Sequence, residues 1–235
     1  MFWAGQSMNF LPLASPKRRH QSYRFTKNNR QKQGNKNYKH IKIYTMRNLI
    51  FFMHASLDGF VAGLNGEMDW ISFDDELFDF VGTMTDKADT ALYGRVTYEM
   101  MQGYWPTAAD QPNASKHDKE HSAWYNKVSK IVLSTTITKE GLENTKVIGD
   151  QLVANINEIK NQEGGDILIF GSPRASHSLL SYALIDEYWI FVNPVLLGKG
   201  IPLFKGVTET TKLKLIESKT FSCGVIALHY EKKTD

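Results

Sequence analysis

The sequence predicts an α/β domain built on a mixed sheet, and three observations lead there. From Met46 onward, short apolar runs of β-branched and aromatic residues alternate with segments of helical periodicity. The stretch from Met46 to Asp235 is long enough to bury one hydrophobic core. The chain closes with two alternating segments, Lys212 to Lys219 and Val225 to Glu231, spaced as an antiparallel pair with no helix between them.

In order, Leu49 to His54 is the first strand, and Ser56-Leu57-Asp58-Gly59 turns it into a loop reaching Trp70. Over Asp74 to Lys87, Leu77, Phe80, Val81 and Met84 fall on one helical face, with acidic residues at the start where the helix dipole favours them. Thr90 to Tyr93 is a short strand and Arg95 to Gln102 a helix, followed by a polar loop with Pro106 and Pro112. Lys116 to Lys127 reads as a helix, Ser129 to Leu133 and Lys146 to Ile148 as strands, and Leu152 to Asn161 as a helix. Asp166 to Phe170 is a buried strand, Arg174 to Leu184 a helix, and Glu187 to Val192 the longest strand before the closing pair.

Charge divides the chain. Residues 1–45 hold ten Lys and Arg and no Asp or Glu, leaving 18 basic against 25 acidic residues in the rest. The first 45 residues are therefore read as a disordered basic appendage, with Met46 as the natural start, a targeting peptide or a nucleic-acid-binding arm as the readings. The acidic remainder gives no footprint for nucleic acid. Cys223 is the single cysteine, so an intrachain disulfide and a cysteine-rich zinc site are excluded, and the chain suits the cytoplasm. The apolar run from Tyr188 to Leu197, broken by Asn193 and Pro194, is too short to span a membrane.

In open α/β sheets, ligands sit beyond the carboxyl ends of the strands, where helix N-termini direct free N–H groups outward. Three exits fit. At Gly94-Arg95-Val96-Thr97 the glycine permits a tight turn, while Arg95 and Thr97 add a guanidinium and a hydroxyl. At Gly171-Ser172-Pro173-Arg174, Ser172 is a favourable N-cap and Pro173 a favourable first helical residue. Ser134-Thr135-Thr136 places three hydroxyls after a strand. Each also fits an ordinary turn. Neither the Rossmann glycine pattern nor a phosphate-binding P-loop occurs. His117-Asp118-Lys119-Glu120-His121 has the spacing of an inverted zinc-protease motif, but its polar surroundings and the lack of a third ligand read as a solvated helix face.

Taken in order, Ser56-Leu57-Asp58-Gly59-Phe60-Val61-Ala62, Met68-Asp69-Trp70-Ile71-Ser72, Gly94-Arg95-Val96-Thr97-Tyr98-Glu99, Leu133-Ser134-Thr135, Phe170-Gly171-Ser172, Leu184-Ile185-Asp186-Glu187 and Pro194 to Phe204 resemble the dihydrofolate-reductase-like superfamily. Within it they are most similar to the reductase domain of bacterial riboflavin biosynthesis, in a stand-alone form. The resemblance covers Met46 to Glu231. It implies a three-layer α/β/α domain with a mostly parallel central sheet, a homodimer, and NADPH as cofactor. Gly94, Arg95 and Thr97 would lie at the phosphates, Ser134 and Thr135 near the adenosine 2′-phosphate, and Gly171, Ser172 and Arg174 at the pyrophosphate. Asp58, Glu76 and Asp79 are the carboxylates offered for proton delivery. The expected reaction is hydride transfer to a small heterocycle, as in reduction of 5-amino-6-(5-phosphoribosylamino)uracil. Two departures stand out: Gly171-Ser172-Pro173 replaces a run of glycines, and Gln102 to Ser115 contains no arginine to grip a ribose phosphate. They motivate an alternative, a cofactor-binding protein without a substrate site.

Overall fold

The computed structural model describes residues 46–138, 141–207 and 209–233, so the expectations for residues 1–45 lie outside the described residues. The chain runs β1 (Leu49–Ser56), β2 (Phe60–Ala62), α1 (Asp75–Thr85), β3 (Ala88–Gly94), α2 (Arg95–Gln102), a 3-10 turn (Trp105–Asp110), α3 (Lys116–Lys127), β4 (Ser129–Leu133), β5 (Thr145–Ile148) and α4 (Leu152–Lys160). It continues through β6 (Asp166–Phe170), α5 (Pro173–Ser181), β7 (Glu187–Asn193), β8 (Ile201–Pro202), β9 (Leu213–Thr220) and β10 (Ile226–Lys232).

Eight strands form one sheet in the order β5-β4-β3-β6-β1-β7-β10-β9. The six from β5 to β7 are parallel, and β10 and β9 close the edge in antiparallel pairing. Because a strand's side chains alternate between faces, a sheet covered on both sides needs near-continuous apolar strands. In β1, Leu49, Phe51, Met53 and Ala55 point to the face covered by Ile156 and Ile159 of α4 and Ala175 and Leu179 of α5. Ile50 and Phe52 point to the other, covered by Leu77, Val81 and Met84 of α1, Tyr98 of α2 and Tyr125 of α3. The result is the mixed, mostly parallel three-layer α/β/α arrangement expected.

Local differences have local causes. Phe60–Ala62 pairs with Ile201–Pro202 in a second, two-stranded sheet, too short to show a period in the sequence. The last helix stops at Ser181, and Ala183 takes a left-handed conformation (φ 51°) that helix cannot continue through. No helix among the described residues is long and apolar enough to cross a membrane.

Candidate cofactor and substrate site

All six parallel strands end on the same edge, and the helix starts found there differ from the others. Helix α1 is capped by Asp74, whose side chain accepts from the Leu77 amide, and α3 by Ser115 in a reciprocal capping box with Asp118. Helices α2, α4 and α5, which follow β3, β5 and β6, begin at Gly94, Gln151 and Ser172 with no side-chain cap. An uncapped start leaves backbone N–H groups free for an anion and presents the positive end of the helix dipole to it.

Two of these starts are tied together. Gly171 and Ser172 both take left-handed conformations (φ 54° and 57°), which turns the chain sharply after β6. Ser172 sits at the N-cap position expected but does not cap. Its buried Oγ accepts from the Gly94 amide at 3.0 Å and donates to the Phe170 carbonyl at 3.1 Å. The capping expectation fails because the left-handed backbone aims the side chain across to the β3 exit. A Cβ at Gly94 would lie 3.4 Å from the Ala175 Cβ, and one at Gly171 would lie 3.8 Å from the Thr97 methyl. The β3 and β6 exits, with Thr97, thus form one cradle of small groups. Arg95 is half exposed and shares its guanidinium with Glu99 at 2.9 Å, and Arg174 is exposed. At the β4 exit, the Ser134 Oγ accepts from the amides of Thr136 and Ile137, leaving Thr135 exposed. The β5 exit is its neighbour, where a Cβ added at Gly149 would lie 3.1 Å from the Ser134 carbonyl oxygen, and was not foreseen because Gly149-Asp150-Gln151 carries no motif.

The carboxylates are placed differently. Asp58 is exposed and accepts from Ser56 Oγ (2.6 Å), the Gly198 amide (2.7 Å) and the Leu197 amide (3.1 Å), so it pins the turn after β1 to the loop after β7. The Ser56 hydrogen bond is the chief reason its carboxyl is held below the usual range. Glu76 pairs with Lys219 at 3.1 Å and Asp79 with Lys116 at 2.6 Å, both at the surface.

The reading of His117 and His121 as a solvated face is corrected. His117 stacks on Phe78 (3.8 Å, 12°), and His121 lies against Trp105 (4.1 Å), Trp124 (5.1 Å) and edge-on to Phe170 (5.9 Å). Burial lowers the His121 pKa to about 3, so the ring is neutral. The polar neighbours that suggested a solvated helix belong to the opposite face. Across the Phe170 and Phe52 rings lies His54, an aromatic–histidine wall that the sequence hides because its members come from β1, β6, α1 and α3. Two cavities, of about 360 and 310 Å³, lie elsewhere: a polar one at the amino ends of β3 to β5 beside Arg47 and Lys130, and an apolar one beside Phe204 and Leu213.

A cradle at the carboxyl ends of a mostly parallel sheet that closes in an antiparallel pair defines a dihydrofolate-reductase-like domain. The RibD C-terminal domain family model matches residues 47–227, and the chain belongs to that reductase-like family. It is 32% identical over 187 residues to the uncharacterized protein YyaP of Bacillus subtilis, covering 78% of this chain and 94% of that one. A protein of Shewanella sp. PV-4 described as a riboflavin biosynthesis protein superposes with a TM-score of 0.62 at 25% identity, over 80% of this chain and 100% of that one. A dihydrofolate reductase of Enterococcus faecalis, solved in complex with NADP(H), shares the fold (TM-score 0.54, 14% identity, 82% of this chain and 100% of that one).

Proposed function

We propose that the protein is an NADPH-dependent reductase that transfers a hydride to a small heterocycle. The observation supporting this most is the contrast in helix starts: the three left without a side-chain cap are those that open at the carboxyl ends of parallel strands. The residues present suit a dinucleotide. Gly94 and Thr97, with the Arg95 guanidinium, would hold phosphate at α2; Gly171, Ser172 and Arg174 would hold the pyrophosphate at α5; Ser134 and Thr135 would meet the adenosine 2′-phosphate. NADPH, when bound, supplies the hydride. The protein's part is placement and exclusion of water, for which the rings of Phe170, Trp105 and His121 give an aromatic, uncharged lining. Asp58 serves as a positioning residue that fixes the two strand exits beside the substrate, and Glu76 and Asp79 hold α1 to β9 and α3 through their lysines. By its family resemblance the protein is taken as a cytoplasmic homodimer.

A second reading, a cofactor-binding protein that turns nothing over, draws on the absence of arginine from Gln102 to Ser115. Titration of NADPH fluorescence with the full chain tests the first requirement of both, and failure to bind overturns both. Oxidation of bound NADPH by a dihydropterin, an aminouracil or a quinone supports the reductase. Binding with no oxidation by any of the three leaves only the second reading.

A further inference from the structure

His54 is the imidazole that packing explains least. It sits on β1 two residues from the strand exit, on the α1 side of the sheet, stacked on Phe191 (5.0 Å, 24°) and edge-on to Phe52 (6.1 Å). Burial lowers its pKa to about 4, so near neutrality it carries one ring proton. Asn193 decides where. The Asn193 Oδ1 accepts from the Ser72 amide at 2.9 Å, and its Nδ2 donates to the carbonyls of Phe191 (3.0 Å) and Ala55 (3.3 Å). The amide orientation is thereby fixed, with its NH2 group 3.3 Å from His54 Nδ1. The two NH2 hydrogens have three acceptors in reach, and since an amide nitrogen cannot accept, the tautomer that fits is the one with Nδ1 bare and the proton on Nε2.

That N–H has no hydrogen-bonding partner among the described residues. It is not sealed in either, since the Tyr93 hydroxyl is the only buried side-chain nitrogen or oxygen there left without a partner. A donor in an aromatic setting, with its tautomer set by a buried asparagine and its N–H not wholly covered by the protein, is suited to a ligand acceptor. In the strand order β3-β6-β1-β7 it lies one strand beyond the β6 half of the phosphate cradle.

We propose that His54 Nε2–H is the hydrogen-bond donor that recognises a carbonyl oxygen or ring nitrogen of a flat, uncharged heterocycle. Phe52 and Phe191 keep the surroundings of that donor aromatic and uncharged, and Asn193 acts as the positioning residue that sets the tautomer. This rests on the reductase reading for the placement of the ring, and not for the tautomer.

The full chain with 15N-labelled histidine should show His54 protonated on Nε2 and bare on Nδ1, and the Nε2–H resonance should shift when a dihydropterin is added. With whichever acceptor oxidises NADPH, His54→Phe should raise KM for that acceptor at least tenfold while NADPH affinity and the melting temperature hold. His54→Gln, which carries an N–H donor of similar reach, should restore KM to within about threefold. A proton on Nδ1, an unchanged KM in His54→Phe, or an equal loss of NADPH affinity would each overturn the proposal. If NADPH fails to bind at all, the reductase reading falls, and the tautomer and dihydropterin titration still decide this one: an unmoved Nε2–H resonance ends it.

Discussion

The five α-helices among the described residues divide into two sets according to how their first turns are satisfied. Helices α1 and α3 begin in loops and are closed by their own side chains, Asp74 and Ser115. Helices α2, α4 and α5 leave parallel strands directly and stay open. Asp74 also accepts from the Cys223 amide at 2.7 Å, so closing α1 fastens it to the turn between β9 and β10. Ser172 shows the contrast within one residue type: a good capping side chain spent instead on joining two open starts. A helix start is thus closed within the chain or left open according to where its N–H groups are satisfied.

The largest effect expected is with pH and concerns what the closed side buries. His121 on α3 and His54 behind α1 are neutral when folded, with pKa values lowered by burial to about 3 and about 4 from 6.5. Above pH 6.5 neither state takes up a proton there; as pH falls below 6.5 the unfolded chain binds protons that the folded one refuses, and stability falls. The loss should reach roughly 2 kcal/mol per histidine by pH 5, read by urea unfolding at successive pH values. A flat profile across that window would show that burial does not hold the two rings neutral.

Next is a charge placed at an open start. Arg174→Glu should weaken NADPH binding by about 2 kcal/mol, some thirtyfold, while leaving the melting temperature unchanged or raised, since a carboxylate suits a helix N-terminus. Opposite signs in the two measurements are the signature of a start kept open for a ligand. Removing a cap should do the reverse. Asp74→Ala should lower stability by about 1–2 kcal/mol and leave NADPH affinity alone; a loss of affinity would erase the distinction between the sets. The smallest effect belongs to Tyr93, whose hydroxyl is buried without a partner among the described residues. Tyr93→Phe should be within about 1 kcal/mol of the parent, on the stable side, by thermal unfolding.

The fold was legible because strands covered on both faces write themselves as apolar runs such as Leu49 to Met53, and because the antiparallel closing pair lacks an intervening helix. The cradle was legible in part. Gly94 and Gly171 mark tight turns at the two strand exits, which a local turn signal can show, and Gly171 takes a left-handed conformation there. The use of Ser172 was not, since its partner is 78 residues away. The same separation hid the histidine wall: the 3.6-residue period assigns His117 and His121 to one face of α3 but says nothing about what covers that face. His54 gave no signal at all, being one polar residue at the end of an apolar strand whose meaning depends on Asn193, 139 residues on.

The place of β1 in the sheet also governs how the protein comes into being. Its neighbours are β6, with Leu49 beside Ile167, and β7, with Ile50 beside Glu187. Within the eight-stranded sheet, the first strand to leave the ribosome is therefore the one that waits longest for partners, and it is among the most apolar segments in the chain. Closing loops of that length before any pairing is rewarded makes assembly slow and leaves Leu49–Ser56 open to other chains meanwhile. The central strand of the finished sheet is the aggregation hazard of the unfinished one.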